Sequence, residues 1–140
     1  MQETYVDIMI QSLEKKIQVL DRIIELNVVQ KQALEDPRAE IEQFDKTVEE
    51  KTQLIEQMQQ LDSGFEKLYA RVQEELQNNR EAYVQQIKTM QSDIRRITDK
   101  SMEIQAQEAR NRDLMVRKFA YVRETAKAVR TNSKIASQYY

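Results

Sequence analysis

The chain has 140 residues with one Gly, one Pro, no Cys and no His, and a third of its residues are charged. That length suits one domain. The missing Cys and His exclude disulfides, thiolate metal sites and the commonest general base, while the excess of Glu, Gln, Lys, Leu, Ile and Met is the composition of long helices.

The opening residues MQETYVDIMIQ lack a basic run and are interrupted by Asp7, so they do not read as a signal peptide. No stretch approaches the roughly 18–20 unbroken apolar residues of a membrane span, and the expected location is the cytoplasm. The first periodic block sets Val6, Ile10, Leu13, Ile17, Leu20 and Ile24 at steps of 4, 3, 4, 3 and 4, a heptad seam on one helical face. Met9, Val19, Ile23 and Leu26 widen it into a stripe that can touch two neighbours. The block stops at EDPR, because the residue before Pro37 is biased away from helical dihedrals; the first helix is expected over residues 4–34.

The second block carries Ile41, Phe44, Val48, Ile55, Met58, Phe65, Val72 and Leu76, with Leu54, Leu61 and Leu68 alongside, and is expected as one helix over 39–77. Gly64 lies inside it. An interior Gly costs roughly 1 kcal/mol against Ala, so it marks either the close approach of a neighbouring helix beside Ser63 or a tolerated kink. Only QNNR separates this block from the next. Asn tolerates left-handed dihedrals better than most residues, so Asn78 or Asn79 is expected to turn the chain. The alternative, one helix over 39–131, would run about 140 Å and could bury its seam only in an extended oligomer.

The third block offers Val84, Ile87, Met90, Ile94, Ile97 and Ile104, then Met115, Phe119, Val122, Ala126 and Val129. Between the two runs the seam reads Ser101, Glu108 and Asn111, a polar break expected to mark where the supporting bundle ends. Helices over 4–34, 39–77 and 80–131 would measure about 46, 57 and 78 Å, so roughly 20 residues of the third should overhang its neighbours. The fold expected is all-α: a single domain, residues 1–131, built as an antiparallel coiled-coil-like bundle of three long helices with the third overhanging. Residues 132–140 are expected as a flexible tail, in which Tyr139 and Tyr140 read either as a docking segment or as an incidental feature of the terminus.

The catalytic repertoire is empty. There is no Gly-rich phosphate loop, no nucleophile with its base and no Glu-x-x-His pair, so no enzyme activity, cofactor or metal is expected. Nucleic acid deserves a test, because residues 110–134 carry eight bases against Asp113 and Glu124. Yet residues 1–80 hold 17 acids and 10 bases while residues 81–140 hold 7 and 12, so the acidic half packed antiparallel against the basic last helix accounts for the asymmetry internally. A phosphate-tracking helix also has no use for the apolar row from Met115 to Val129. With Ala126 and Ala128 the row is too shallow for membrane insertion. A helix-in-groove partner remains, read by Met115, Phe119, Val122, Ala126 and Val129 and flanked by Arg112, Arg123 and Arg130; a homodimer or ordinary bundle packing would use the same residues.

The stretches SLEKKIQVLDRIIELNVVQKQALEDP, FDKTVEEKTQLIEQMQQLDSGFEKLYARVQEEL and ITDKSMEIQAQEARNRDLM, in that order and spacing, resemble the FlgN-type flagellar export chaperones, above all their clostridial-type members. The resemblance covers most of residues 10–125. It implies a cytoplasmic chaperone of flagellar type III secretion that binds hook-associated proteins of the hook–filament junction, prevents their premature assembly and delivers them to the membrane export gate. It places substrate binding in the C-terminal helix, here Arg112 to Arg130. A chaperone of the filament cap protein and a structural homodimeric coiled coil are the alternative readings.

Overall fold

The first helix, α1 (Tyr5–Glu35), is closed at its start by a capping box: the Thr4 hydroxyl accepts from the Asp7 amide at 3.1 Å while the Asp7 carboxylate accepts from the Thr4 amide at 3.4 Å. A second cap arrives from far along the chain. The Glu75 carboxylate accepts from the Tyr5 and Val6 amides at 2.7 and 3.3 Å, satisfying two amides that have no partner within the helix. At the other end the Asp36 carboxylate accepts from the Arg38 amide and Pro37 prevents the helix from continuing. The computed structural model describes the backbone of residues 3–139 and the side chains of residues 3–120.

The chain continues as α2 (Ile41–Asp62), α3 (Phe65–Asn79), a single 3₁₀ turn (Arg80–Tyr83) and α4 (Val84–Tyr139). The region expected as one helix over 39–77 is therefore two. Ser63 (φ −65°, ψ 126°) followed by Gly64 (φ 78°, ψ 1°) has the dihedrals of a type II turn, whose third position demands a positive φ and hence Gly. Close helix approach is not the reason for this Gly, since a Cβ there would meet nothing within 4 Å. The reversal at Asn79 also differs in mechanism from the expectation: its φ is −157°, and no described non-Gly residue has a positive φ.

Contacts along the helices fix the topology. Tyr5 meets Glu75, Lys16 meets Asp62 and Arg22 meets Glu50, so α1 runs antiparallel to α2 and α3. Asp21 meets Lys100, Asn27 meets Asn111 and Ala33 meets Lys118, so α1 and α4 run parallel. The result is an up-down-up bundle whose middle member is divided into α2 and α3. Successive members are antiparallel, as expected, whereas the first and last are parallel. The charge complement of α4 consequently spans both neighbours: Lys100 pairs with Asp21 of α1, and Glu108 takes Lys51 of α2.

α1 is the spine. Its broad stripe buries Val6, Met9, Leu13, Ile17, Val19, Leu20, Ile23 and Leu26, as the spacing predicts. By contrast, Thr47 is the buried residue of α2 and Val72 that of α3, so these helices cover α1 on one side without being covered in turn. Val6, Met9 and Leu13 pack with Val72 and Met90 into the core at the α3–α4 end.

The polar break is not the end of the bundle. Asn27, Gln30, Gln107 and Asn111 are all buried, and they form a layer inside it. Asn27 donates to the Gln107 side-chain carbonyl at 3.1 Å, Gln107 donates to the Ile24 backbone carbonyl at 3.3 Å, and Asn111 donates to the Asn27 backbone carbonyl at 2.9 Å. Lys51 of α2 reaches into the same layer, donating to Gln30 at 3.2 Å and pairing with Glu108. Each of these side chains makes at least one hydrogen bond to the protein, which offsets much of the burial cost that made a break within the core look unfavourable, while the buried Asn27 Oδ1 accepts none.

Candidate apolar docking site

Past the polar layer, α4 runs alongside the end of α1. The Lys118 ammonium donates to the Ala33 carbonyl at 3.1 Å and to that of Asp36 at 3.5 Å. α1 has no basic residue in its last turn, so Lys118 supplies the positive charge that the carbonyl end of its dipole favours. This contact pins the register of α4 at the point where α1 stops. From there the α4 backbone stays helical to Tyr139, a further ~30 Å at 1.5 Å per residue. The overhang begins near Ala120, a little over two turns later than the polar break implies, and its backbone continues helical past the end expected at residue 131.

Around the Lys118 anchor lies an apolar cleft of about 220 Å³ formed by Leu34 of α1, Ala39 in the connection before α2, Ile41 and Phe44 of α2, and Met115 and Phe119 of α4. Its volume is below the roughly 300–1,000 Å³ of pockets that enclose small molecules, and it suits inserted side chains better than a free ligand. Glu40 and Asp45 stand on its rim beside Lys118. Its mouth is unusually apolar for an exposed surface: Ile41 is 75% and Phe119 58% exposed. Leaving such groups in water forgoes about 1.5–3 kcal/mol each relative to full burial.

Of the residues expected to bind a partner, Met115 and Phe119 share this cleft, and Arg112 is exposed on the preceding turn of α4. The side chains of Val122, Arg123, Ala126, Val129 and Arg130 lie outside the described residues, as do those of Tyr139 and Tyr140; only their sequence spacing bears on their role. Sequence reasoning missed the α2 wall. Ile41 fits the apolar pattern of its helix, and periodicity alone cannot distinguish a residue on the flank of a seam from one at its centre.

Among the described residues no group of three or more acidic side chains is placed to hold a metal, and no helix is long and apolar enough to cross a membrane. Arg22 is remote from the cleft, on the contact between α1 and α2. Arg22 donates to Glu50 at 2.9 and 3.0 Å and to Glu25 at 2.9 Å, and these hydrogen bonds raise its pKa further. An already permanent cation is thereby kept charged, which ties α1 to α2 and offers no acid–base chemistry.

The family model described as FlgN protein matches residues 1–140. No curated protein and no solved structure matches the chain.

Proposed function

Because the chain belongs to the FlgN family, a family of flagellar export chaperones and not of enzymes, we propose that its clients are hook-associated proteins of the hook–filament junction. The client docks as an amphipathic helix on the C-terminal part of α4, with Met115 and Phe119, then Val122, Ala126 and Val129, as apolar anchors. Arg112, Arg123 and Arg130 flank that row and select acidic positions beside the client's own apolar seam. Covering the client's seam prevents its assembly in the cytoplasm, and the complex carries it to the membrane export gate.

The observation that carries this reading is the exposed Phe119 at the mouth of an apolar cleft, on a helix that then continues beyond the end of α1. A chaperone must present apolar surface while remaining folded. Here the folding core centres on α1, and the apolar cleft stands at the far end from the Val6–Met90 cluster.

Co-purification of the chain with hook-associated proteins of the same genome tests the client, with the filament cap protein as the competing bait. Phe119→Asp is expected to abolish capture while shifting stability by less than about 0.5 kcal/mol, as surface substitutions do. Capture that survives this change, or a chain that melts because of it, would overturn the assignment of Phe119 to the client face.

A further inference from the structure

A second apolar surface adjoins the cleft and is not consumed by the bundle. On α2, Ile41, Val48 and Ile55 repeat every seven residues, and the latter two are 42% and 47% exposed. The inward seam of the same helix is Phe44, Thr47, Lys51, Leu54 and Met58, less exposed at every position than that row. The row therefore lies on one flank, and two contacts identify which: Lys51 crosses to Glu108, and Ile41 shares its cleft with Met115 and Phe119. That flank faces α4. Both helices lean on α1, and the trough between them stays open along the row.

Charge indicates what fills the trough. α2 contains six acids and two bases. Of these, Glu42, Asp45, Glu49 and Glu56 are exposed, and none pairs with a cation among the described residues. The occupant should thus be an amphipathic helix with a basic flank, about as long as the 22 residues of α2. Residues 121–139 of this chain have that character: four bases against Glu124, and Val122, Ala126 and Val129 at steps of 4 and 3. They cannot fold back into their own trough, because α4 is helical without interruption to Tyr139 and leads away from it.

We propose that residues 121–139 of a second copy lie in the trough between α2 and α4, and that the exchange is reciprocal about a two-fold axis. The two copies meet at the ends where α1 stops. Each tail enters beside Ile41 and Phe119 and runs antiparallel to the α4 it joins, meeting Val48 and then Ile55. Tail and trough are each about 30 Å long, so the fit needs no change in either bundle. The link to function rests on the reading above: the exchanged tail carries the residues assigned to the client, so self-association sheathes the client face and client and second copy compete for it.

Sedimentation equilibrium on the full-length chain, without client, tests the exchange. The expected result is a reversible dimer whose dissociation constant rises at least tenfold in Val48→Lys/Ile55→Lys, on the trough, and likewise in Val122→Asp/Val129→Asp, on the tail. Measured at concentrations where the wild type is monomeric, Val48→Lys/Ile55→Lys should keep the wild-type melting temperature, since Val48 and Ile55 are half exposed. A wild-type chain that is monomeric throughout the micromolar range, or a dimer indifferent to either pair, overturns the proposal. If the chain is monomeric and Val48→Lys/Ile55→Lys instead abolishes capture of a hook-associated protein, the trough belongs to the client and the second copy is excluded from it. The failure of the client reading is recorded separately, by Phe119→Asp.

Discussion

Lys16 is a cation inside a hydrophobic interface, only 7% exposed between α1 and the α2–α3 turn. Its ammonium pairs with Asp62 at 2.7 Å and sits 4.4 Å above the centre of the Phe65 ring. Both partners flank the Ser63–Gly64 turn, so one side chain holds the last residue of α2 and the first of α3 against the spine. Removing the charge and removing its partner should have unequal effects. Asp62→Ala leaves a buried cation with an aromatic face alone; the expected loss is about 1–2 kcal/mol, intermediate between a surface pair and a fully buried one because Asp62 itself is largely exposed. Lys16→Met keeps the packing of the stem without a charge to desolvate, and should cost less than Asp62→Ala or even stabilise the fold. Denaturant midpoints of the two variants, measured side by side, decide the order; equal losses would mean that the pair is already screened by water.

At the scale of elements, α1 contributes far more than its share of the core, and its centre should be the least forgiving place in the molecule. Ile17→Asp would bury a carboxylate in the middle of the stripe, where Ile17 is 4% exposed. The expected cost exceeds 4 kcal/mol, comparable with the whole stability of a small domain, and the helical circular dichroism signal should be lost at 25 °C. The importance of α1 was legible in the sequence because its apolar spacing is unbroken over five steps and twice as wide as a two-stranded seam needs. Met115 and Phe119 were legible for the same reason. Three other features were not. Gly64 inside a helical pattern signals a discontinuity without saying whether the chain kinks, packs closely or turns. Asn111 and Glu108 at seam positions look like the end of a core, since their partners Asn27 and Lys51 lie 84 and 57 residues away in the chain. Ile41, Val48 and Ile55 look like core, since a residue flanking a seam differs from one within it by only about 50° around the helix.

For the molecule as a whole, the uneven distribution of charge has two consequences that can be separated. Within the bundle, Lys100 with Asp21 and Lys51 with Glu108 join helices at fixed heights, and the buried Asn27–Gln107–Asn111 layer sets the register of α4 on α1. Beyond Lys118 the basic residues of α4 no longer have α1 beside them, and their complement is the acidic outer side of α2, within reach only from another molecule. A chain ending at Ala120 should therefore split the two roles. Every hydrophobic residue of the described core precedes it, the latest being Met90, and the α1-capping contact of Lys118 is retained. The truncated chain is expected to melt within about 4 °C of the full chain, a change of under 1 kcal/mol for a domain of this size. It should lose client capture and self-association together. Raising ionic strength from about 0.05 to 0.5 M should weaken the self-association of the full chain, because its ion pairs are exposed, while leaving the melting temperature of the truncated chain almost unchanged. A truncated chain that unfolds would make residues 121–139 part of the folding core, and both the overhang and the exchange built on it would have to be abandoned.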